Sequence, residues 1–282
     1  MTGKAVLITG ANSGIGFEAA VSIARMGAHI VMVARNRQKG EIAIAAARER
    51  AGSDKFSLML CDVSSMSDVR RLAAEILAQM PRLDVLVNNA GSVNDARRIT
   101  GEGFEQTFAA NYLGHFLLTQ LLLPLLRSST PSRIVNVSSM AHRQGTLDFD
   151  NLQFERGGFS IMKAYGRSKL AQVLFTHELA GRLAGTVVTV NSLHPGAVAT
   201  RIWSHAPWFT RPVLAAAQLF MLTPAQGAER IVYLATSPEV EGQTGGYYDK
   251  NRRVEPSGLT RDGAMAARLW EESVRLTQSV SP

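Results

Sequence analysis

Tyr165 and Lys169 stand four positions apart in Tyr165-Gly166-Arg167-Ser168-Lys169, and Leu170, Val173 and Leu174 continue a helical period from them. Residues at i and i+4 share one face of a helix, so the spacing sets a phenol beside an ammonium. A free phenol titrates near pH ~10 and is a poor acid or base at neutrality, whereas a neighbouring positive charge favours its ionised form. The pair is a candidate for moving a proton to or from an oxygen. Such pairs are also common on surfaces, and the weight comes from their company. Asn136-Val137-Ser138-Ser139 ends a β-branched run and places a hydroxyl at the carboxyl edge of a strand, where doubly wound sheets bind ligands.

The elements that must position these groups are legible as period. Runs at Ala5 to Thr9, His29 to Ala34, Phe56 to Cys61, Asp84 to Asn88, Arg133 to Ser138 and Val187 to His194 are short, continuous and β-branched, with helical segments between them. That alternation predicts an α/β fold: one doubly wound Rossmann-type domain, with a mostly parallel sheet of about seven strands flanked by helices. No repeat or Pro/Gly-rich linker divides the chain, so residues 1–282 read as one domain, with a substrate loop at 140–162 and a lid at 201–222. The lid carries Trp203, Trp208, Phe209, Phe220 and Met221, which are expected to form an apolar wall over a substrate, with oligomer or core packing and shallow docking on a membrane as the alternatives.

The first strand runs into Gly10-Ala11-Asn12-Ser13-Gly14-Ile15-Gly16, and Phe17, Ala20, Val21 and Ala24 then give a helix. Glycines allow a tight turn and close backbone approach, and a helix N-terminus offers free N–H groups to a pyrophosphate. A dinucleotide site is expected here, although the spacing is GxxxGxG and not GxGxxG. Selectivity for the adenosine ribose is decided at the end of the second strand. An acid there binds a 2′-hydroxyl; this strand ends Arg35-Asn36-Arg37-Gln38-Lys39 with no acid. Arg35 suits a 2′-phosphate, which makes NADP(H) the expected cofactor over NAD(H).

Taken in order, the glycine loop, Asp62-Val63, Asn88-Asn89-Ala90-Gly91, Asn111, Ser139, the Tyr165/Lys169 pair and Pro195-Gly196-Ala197-Val198-Ala199-Thr200 resemble the short-chain dehydrogenase/reductase family. Asn111-Tyr112-Leu113-Gly114-His115-Phe116 and His194-Pro195-Gly196 are similar to its retinol dehydrogenase-like branch. The resemblance implies an oxidoreductase in which Tyr165 is the proton donor, Lys169 lowers its pKa and binds ribose, and Ser139 binds the substrate oxygen. It further implies that the backbone of Asn111 helps hold a relay water. Asn12, Ser13, Ile15, Asn36, Asp62, Val63, Asn88, Ala90, Gly91, Pro195, Gly196, Val198 and Thr200 would line the cofactor. The substrate class implied is a moderately bulky apolar aldehyde, ketone or alcohol, retinoid- or steroid-like. Helices at Glu105 to Leu126 and Lys163 to Arg182 match the family's subunit-packing surfaces, so a homodimer or homotetramer is expected. A non-catalytic NADP-binding regulator is the alternative, but it has no chemical use for Ser139, Tyr165 and Lys169 together.

Composition excludes other classes. With 46% hydrophobic residues and 282 positions the chain can bury a core. Its 30 basic against 23 acidic residues give +7, yet the basic residues are dispersed, so no nucleic-acid partner is expected. One cysteine cannot form an internal bridge, and with no leader in the first residues a cytoplasmic setting is the default. The longest apolar stretches fall short of a span, so no transmembrane anchor is expected. The histidines form no HExxH or CxxC-type set, so no metal is expected.

Overall fold

Eight strands form one sheet in the order β3-β2-β1-β4-β5-β6-β7-β8 in the computed structural model, which describes residues 1–198 and 221–279. The strands are β1 (Ala5–Thr9), β2 (His29–Ala34), β3 (Phe56–Leu60), β4 (Val85–Asn88), β5 (Ser132–Val137), β6 (Val188–His194), β7 (Tyr247–Asp249) and β8 (Arg252–Arg253). Every pairing from β3 to β7 is parallel, and β8 folds back antiparallel on β7. The doubly wound class expected from the sequence is therefore present. The short hairpin strand β8 is its addition, and its two arginines are exposed and gave no apolar signal.

Alternation within each strand feeds two cores. Val6, Ile8, Ile30, Met32, Val85, Val87, Val135 and Val137 face α1 (Gly14–Arg25), α2 (Arg37–Ala51) and a helix at Pro224–Thr236. Leu7, Val31, Val33, Leu86, Ile134 and Val190 face the opposite layer, as a period of two demands. That layer holds α3 (Met66–Gln79), α4 (Gln106–Ser128), α5 (Ile161–Arg182) and a C-terminal helix at Gly263–Gln278. We number the Pro224–Thr236 helix α6 and the C-terminal one α7.

α4 is long and apolar enough to cross a membrane, yet 78% of its most apolar window is buried against the core. It is also interrupted: Ala109–Leu113 form a π turn. Such turns are frequent at functional sites, and this one carries Asn111. Periodicity predicted an unbroken helix here, because one extra residue in a turn leaves the apolar pattern nearly intact.

Side chains cap most helix starts: Asn36 for α2, Ser65 for α3, Glu105 for α4, Ser160 for α5, Thr223 with Gln226 for α6 and Asp262 for α7. Asn36, expected at the cofactor, thus spends its side-chain oxygen on the Lys39 amide at 2.9 Å. Ser13 makes no such cap on α1.

The stretch 140–162 contains two 3-10 turns, at Met140–Gln144 and Phe149–Asn151. Arg167 latches it to α5 by donating to the carbonyls of Asn151 at 2.6 Å and Leu152 at 2.7 Å, with the Phe154 ring 3.8 Å away. Of the expected lid, residues 201–220, and with them Trp203, Trp208, Phe209 and Phe220, lie outside the described residues, as does Thr200. The two ends of that stretch are joined: Leu222 donates to the Ala197 carbonyl at 2.8 Å, and Val198 and Leu222 form a parallel bridge.

Candidate active site

The site assembles at the carboxyl ends of β1, β4, β5 and β6. At the end of β1, Gly10 has φ 66°, and a Cβ on it would lie 2.9 Å from Ala90 Cα. A Cβ on Gly16 would lie 2.4 Å from Asn89 Nδ2. The glycine loop therefore lies against the Asn89-Ala90 backbone, and Asn89 locks it by donating to the Thr9 carbonyl at 2.7 Å. Further along the cleft a Cβ on Gly91 would meet Asn111 Oδ1 at 3.1 Å and Lys169 Nζ at 3.9 Å. Ile15 and Val198 meet across Gly227, whose Cβ would stand 2.9 and 2.7 Å from their side chains. Pro195 and Gly196 follow β6 and lead to Val198 on this rim.

Tyr165 and Lys169 are on one face of α5, with the Lys169 ammonium 5.6 Å from the centre of the phenol ring. Ser139 hydrogen-bonds the Tyr165 hydroxyl. It reaches that position because the turn after β5 closes on α5: a Cβ on Gly145 would sit 2.3 Å from the Gly166 carbonyl. Ser138 points elsewhere, donating to the Lys169 carbonyl at 2.9 Å. The choice of Ser139 over its neighbour thus has a geometric reason.

Asn111 is clamped. Its Oδ1 accepts from Ser92 N at 2.7 Å, and its Nδ2 donates to the Ser92 carbonyl and to Ser168 Oγ, both at 3.0 Å. Asn88 is not on the cleft side as expected. Its fully buried side chain donates to Thr119 Oγ1 at 3.0 Å and Asn136 Oδ1 at 2.8 Å, inside the α4 and α5 layer. The family resemblance had implied a cofactor contact, but period two turns Asn88 inward, and Asn89 and Ala90, past the end of β4, lie against the glycine loop.

At the adenosine end, Arg35 is exposed and stands 3.6 Å from Asp62 Oδ2. Asp62 also accepts from the Ser64 amide and hydroxyl, at 3.0 and 2.7 Å. Arg37 is drawn to Glu41 at 3.7 Å. Arg35 and Arg37 are equally exposed, each beside a long ion pair, and Arg35 stands directly after the last residue of β2.

Electrostatics differ from expectation at Tyr165. Burial pushes its phenol above the ordinary value, and the Ser139 hydrogen bond offsets part of that rise. The Lys169 ammonium donates to the Val137 carbonyl and Gln172 Oε1, each at 2.9 Å. Burial brings Lys169 itself down to about 7. Cys61 is buried, and burial raises its thiol far above the ordinary range, which removes it from chemistry.

The residues fit a nicotinamide dinucleotide. The amides of Gly14, Ile15 and Gly16 open α1 with no internal acceptor among the described residues, and Ser13 leaves them uncapped. That is the donor set a pyrophosphate needs. Arg35 would meet the adenosine end and Lys169 the nicotinamide ribose.

A doubly wound dinucleotide fold with Ser139, Tyr165 and Lys169 at the carboxyl edge of its sheet defines a nicotinamide-dependent oxidoreductase. Residues 4–207 match the short chain dehydrogenase family, and the chain belongs to it. It is similar to retinol dehydrogenase 14 of Mus musculus, 44% identical over 97% of this chain and 85% of that one. It is also similar to human retinol dehydrogenase 13, 40% identical over 99% and 86%. An uncharacterized protein from Mycobacterium Paratuberculosis has the same fold at a TM-score of 0.80, 34% identical over 98% of this chain and 94% of that one. A short chain dehydrogenase from Escherichia coli CFT073 complexed with NADPH matches at 0.69, 27% identical over 88% and 97%. The retinol dehydrogenase-like branch expected from the sequence is the one these relatives mark.

Sequence reasoning missed four side chains. Gln172 and Thr176 extend the Tyr165/Lys169 face by one and two turns. Arg167 holds the substrate loop, and His115 bridges α4 to the glycine loop at 2.9 Å. Gln172 and Thr176 had a signal: polar residues at core positions of an amphipathic helix.

Proposed function

We propose that the chain is an NADP(H)-dependent carbonyl reductase and alcohol dehydrogenase for moderately bulky apolar substrates, retinoid- or steroid-like aldehydes and ketones, with Tyr165 as general acid and base. The observation that carries this reading is the Ser139–Tyr165 hydrogen bond beside the Lys169 ammonium, at the cleft the glycine loop opens. A substrate carbonyl oxygen placed between the two hydroxyls accepts from both. The chemistry that a nicotinamide would supply when bound here is hydride transfer at the carbonyl carbon. As negative charge grows on the oxygen, Tyr165 gives it the phenolic proton and Ser139 stabilises it by hydrogen bonding. In the reverse direction the Tyr165 phenolate takes the alcohol proton. Lys169 stabilises that phenolate through its charge at a distance.

The NADP(H) preference rests on Arg35 at the end of β2, with no acid in the turn that follows. The apolar substrate class draws support from the names of the relatives and from the aromatic content of residues 201–222. A cytoplasmic setting remains part of the reading, supported by a single, free cysteine. A homodimer or homotetramer remains part of the reading, with α7 packed on part of the α4 and α5 surface.

The test is an NADPH-consumption screen over retinal, steroid ketones, aromatic ketones and aliphatic aldehydes, with Tyr165→Phe alongside. Turnover should fall on the order of a hundredfold or more in the variant. Turnover near the wild-type rate would remove Tyr165 from the mechanism.

A further inference from the structure

Lys169 is a buried ammonium, 4% exposed, and no carboxylate contributes to its electrostatics. Each neighbouring element offers it something neutral. β5 gives the Val137 carbonyl, and α5 gives Gln172 Oε1 and the Tyr165 ring. α4 gives Asn111 and His115, the latter held neutral by burial with its value near 4. Gln172 is itself 1% exposed.

The orientation of the Gln172 amide is fixed by Lys169. An ammonium has three donors and no acceptor, so the carboxamide must present its oxygen. Its Nε2 is then left inside the core with no partner among the described residues. Leaving a buried N–H₂ unsatisfied is costly, and the orientation is kept because a buried charge without an acceptor costs more. Gln172 is also held from behind. Thr176 donates to its backbone carbonyl at 2.8 Å and accepts from Asn136 Nδ2 at 2.9 Å, which ties the helix turn to β5.

We propose that Gln172 is a positioning residue for proton transfer: with the Val137 carbonyl it holds the Lys169 ammonium in place and keeps it charged, without touching substrate. The proposal deepens the reductase reading and rests on it for the role of Lys169. A hydrogen bond to the charged form favours that form. Removing the acceptor therefore favours neutral Lys169, and replacing it with a carboxylate favours the charged one. The neutral amide between these extremes leaves Lys169 able to respond to its surroundings near neutral pH.

The test reads Lys169 directly in the full-length, cofactor-free chain by the Cε shift of labelled lysine, assigned with Lys169→Met. Gln172→Leu should lower the titration midpoint by about one pH unit or more, and Gln172→Glu should raise it. Gln172→Asn, one methylene short, should fall toward the leucine variant. If Gln172→Leu does not fold, the glutamate and asparagine variants carry the comparison. Equal midpoints in wild type and all folded variants would overturn the proposal. In parallel, kcat for whichever carbonyl the screen supports should move with the midpoint while KM stays. Ordered midpoints in a chain that reduces no carbonyl would sink the reductase reading and leave the role of Gln172 standing. Turnover with unmoved midpoints would do the reverse.

Discussion

The hydroxyl of Thr9 and Nε2 of His115 lie 2.9 Å apart, and this contact ties the start of the glycine loop to the helix that carries Asn111. His115 Nδ1 faces the Asn111 carbonyl at 3.1 Å, which can only accept, so Nδ1 holds the proton and Nε2 accepts from Thr9. The Thr9 oxygen in turn accepts the amides of Asn89 and Ala90, both at 2.9 Å. His115→Phe would remove the side-chain donor to the Asn111 carbonyl and leave the Thr9 hydroxyl only the Val87 carbonyl, 3.4 Å away. Urea unfolding should show a loss of roughly 2–4 kcal/mol, and NADPH titration should show weaker binding. Unchanged affinity in a destabilised variant would make His115 a core residue only.

The same histidine gives the fold an acid limb. Its folded value is near 4 against an ordinary 6.5, with burial the largest cause. The unfolded chain therefore binds more protons between those values, so stability is present above the unfolded value and drains as pH falls toward the folded one. For His115 the drop is on the order of 3 kcal/mol. His194 is shifted in the same direction by burial and adds to the fall. Calorimetric melting points should fall between about pH 7 and about pH 4, and His115→Phe should flatten part of that slope.

Much of this was legible in the sequence because it rests on local pattern. The six runs read as strands became β1 to β6 with ends displaced by a residue at most, since a two-faced parallel sheet needs continuous apolar strands. Tyr165 and Lys169 fell on one face because helical period is local. Arg167 and His115 have partners on other elements, the 140–162 stretch and β1, and no spacing encodes such a contact, whereas Gln172 meets Lys169 on its own helix, three residues away. The direction of the Tyr165 shift was also hidden, because burial and the aim of the Lys169 ammonium are properties of the packed chain.

Cofactor choice should turn on Arg35. Arg35→Asp removes a charge-assisted contact to a 2′-phosphate and adds repulsion, so the NADPH dissociation constant should rise about ten- to a hundredfold while that of NADH changes little. Arg37→Asp, at the first position of α2 and two residues further from the end of β2, should have a smaller effect. Equal losses for both cofactors in Arg35→Asp would take Arg35 out of phosphate recognition.

Two glycines in helices should respond in opposite directions. A Cβ on Gly114 would come within 1.8 Å of the Val63 carbonyl, a backbone atom that cannot step aside. Gly114→Ala should cost about 3 kcal/mol and, by moving Val63 beside Asp62, weaken NADPH binding. Gly181, in α5, meets nothing within 4 Å. Gly181→Ala should stabilise the chain by up to about 1 kcal/mol, since alanine has the better helix propensity. Equal melting points for the two variants would contradict the packing of α4 on Val63.

The seat of α7 decides how copies of the chain can meet. Trp270 stands edge-on to Phe116 of α4 at 5.1 Å, and the Arg182 guanidinium of α5 lies 4.2 Å from the Trp270 ring. Ser273 is 2.7 Å from the Tyr112 hydroxyl, and Arg70 of α3 donates to the Thr277 carbonyl at 2.7 Å. These contacts occupy part of the apolar faces of α4 and α5 on which a homodimer or homotetramer was expected to pack. With α7 in place part of those faces is covered, Met162 on α5 stays exposed and Leu121 and Leu123 on α4 are partly buried, and burial of apolar area is the main drive for association. Light scattering on the full chain should therefore give a mass that Trp270→Asp increases, because a charge at the seat releases α7 and uncovers Phe116, Phe175 and Tyr112. A wild-type oligomer whose cross-links join α4 of one chain to α5 of another would show that α7 yields its place.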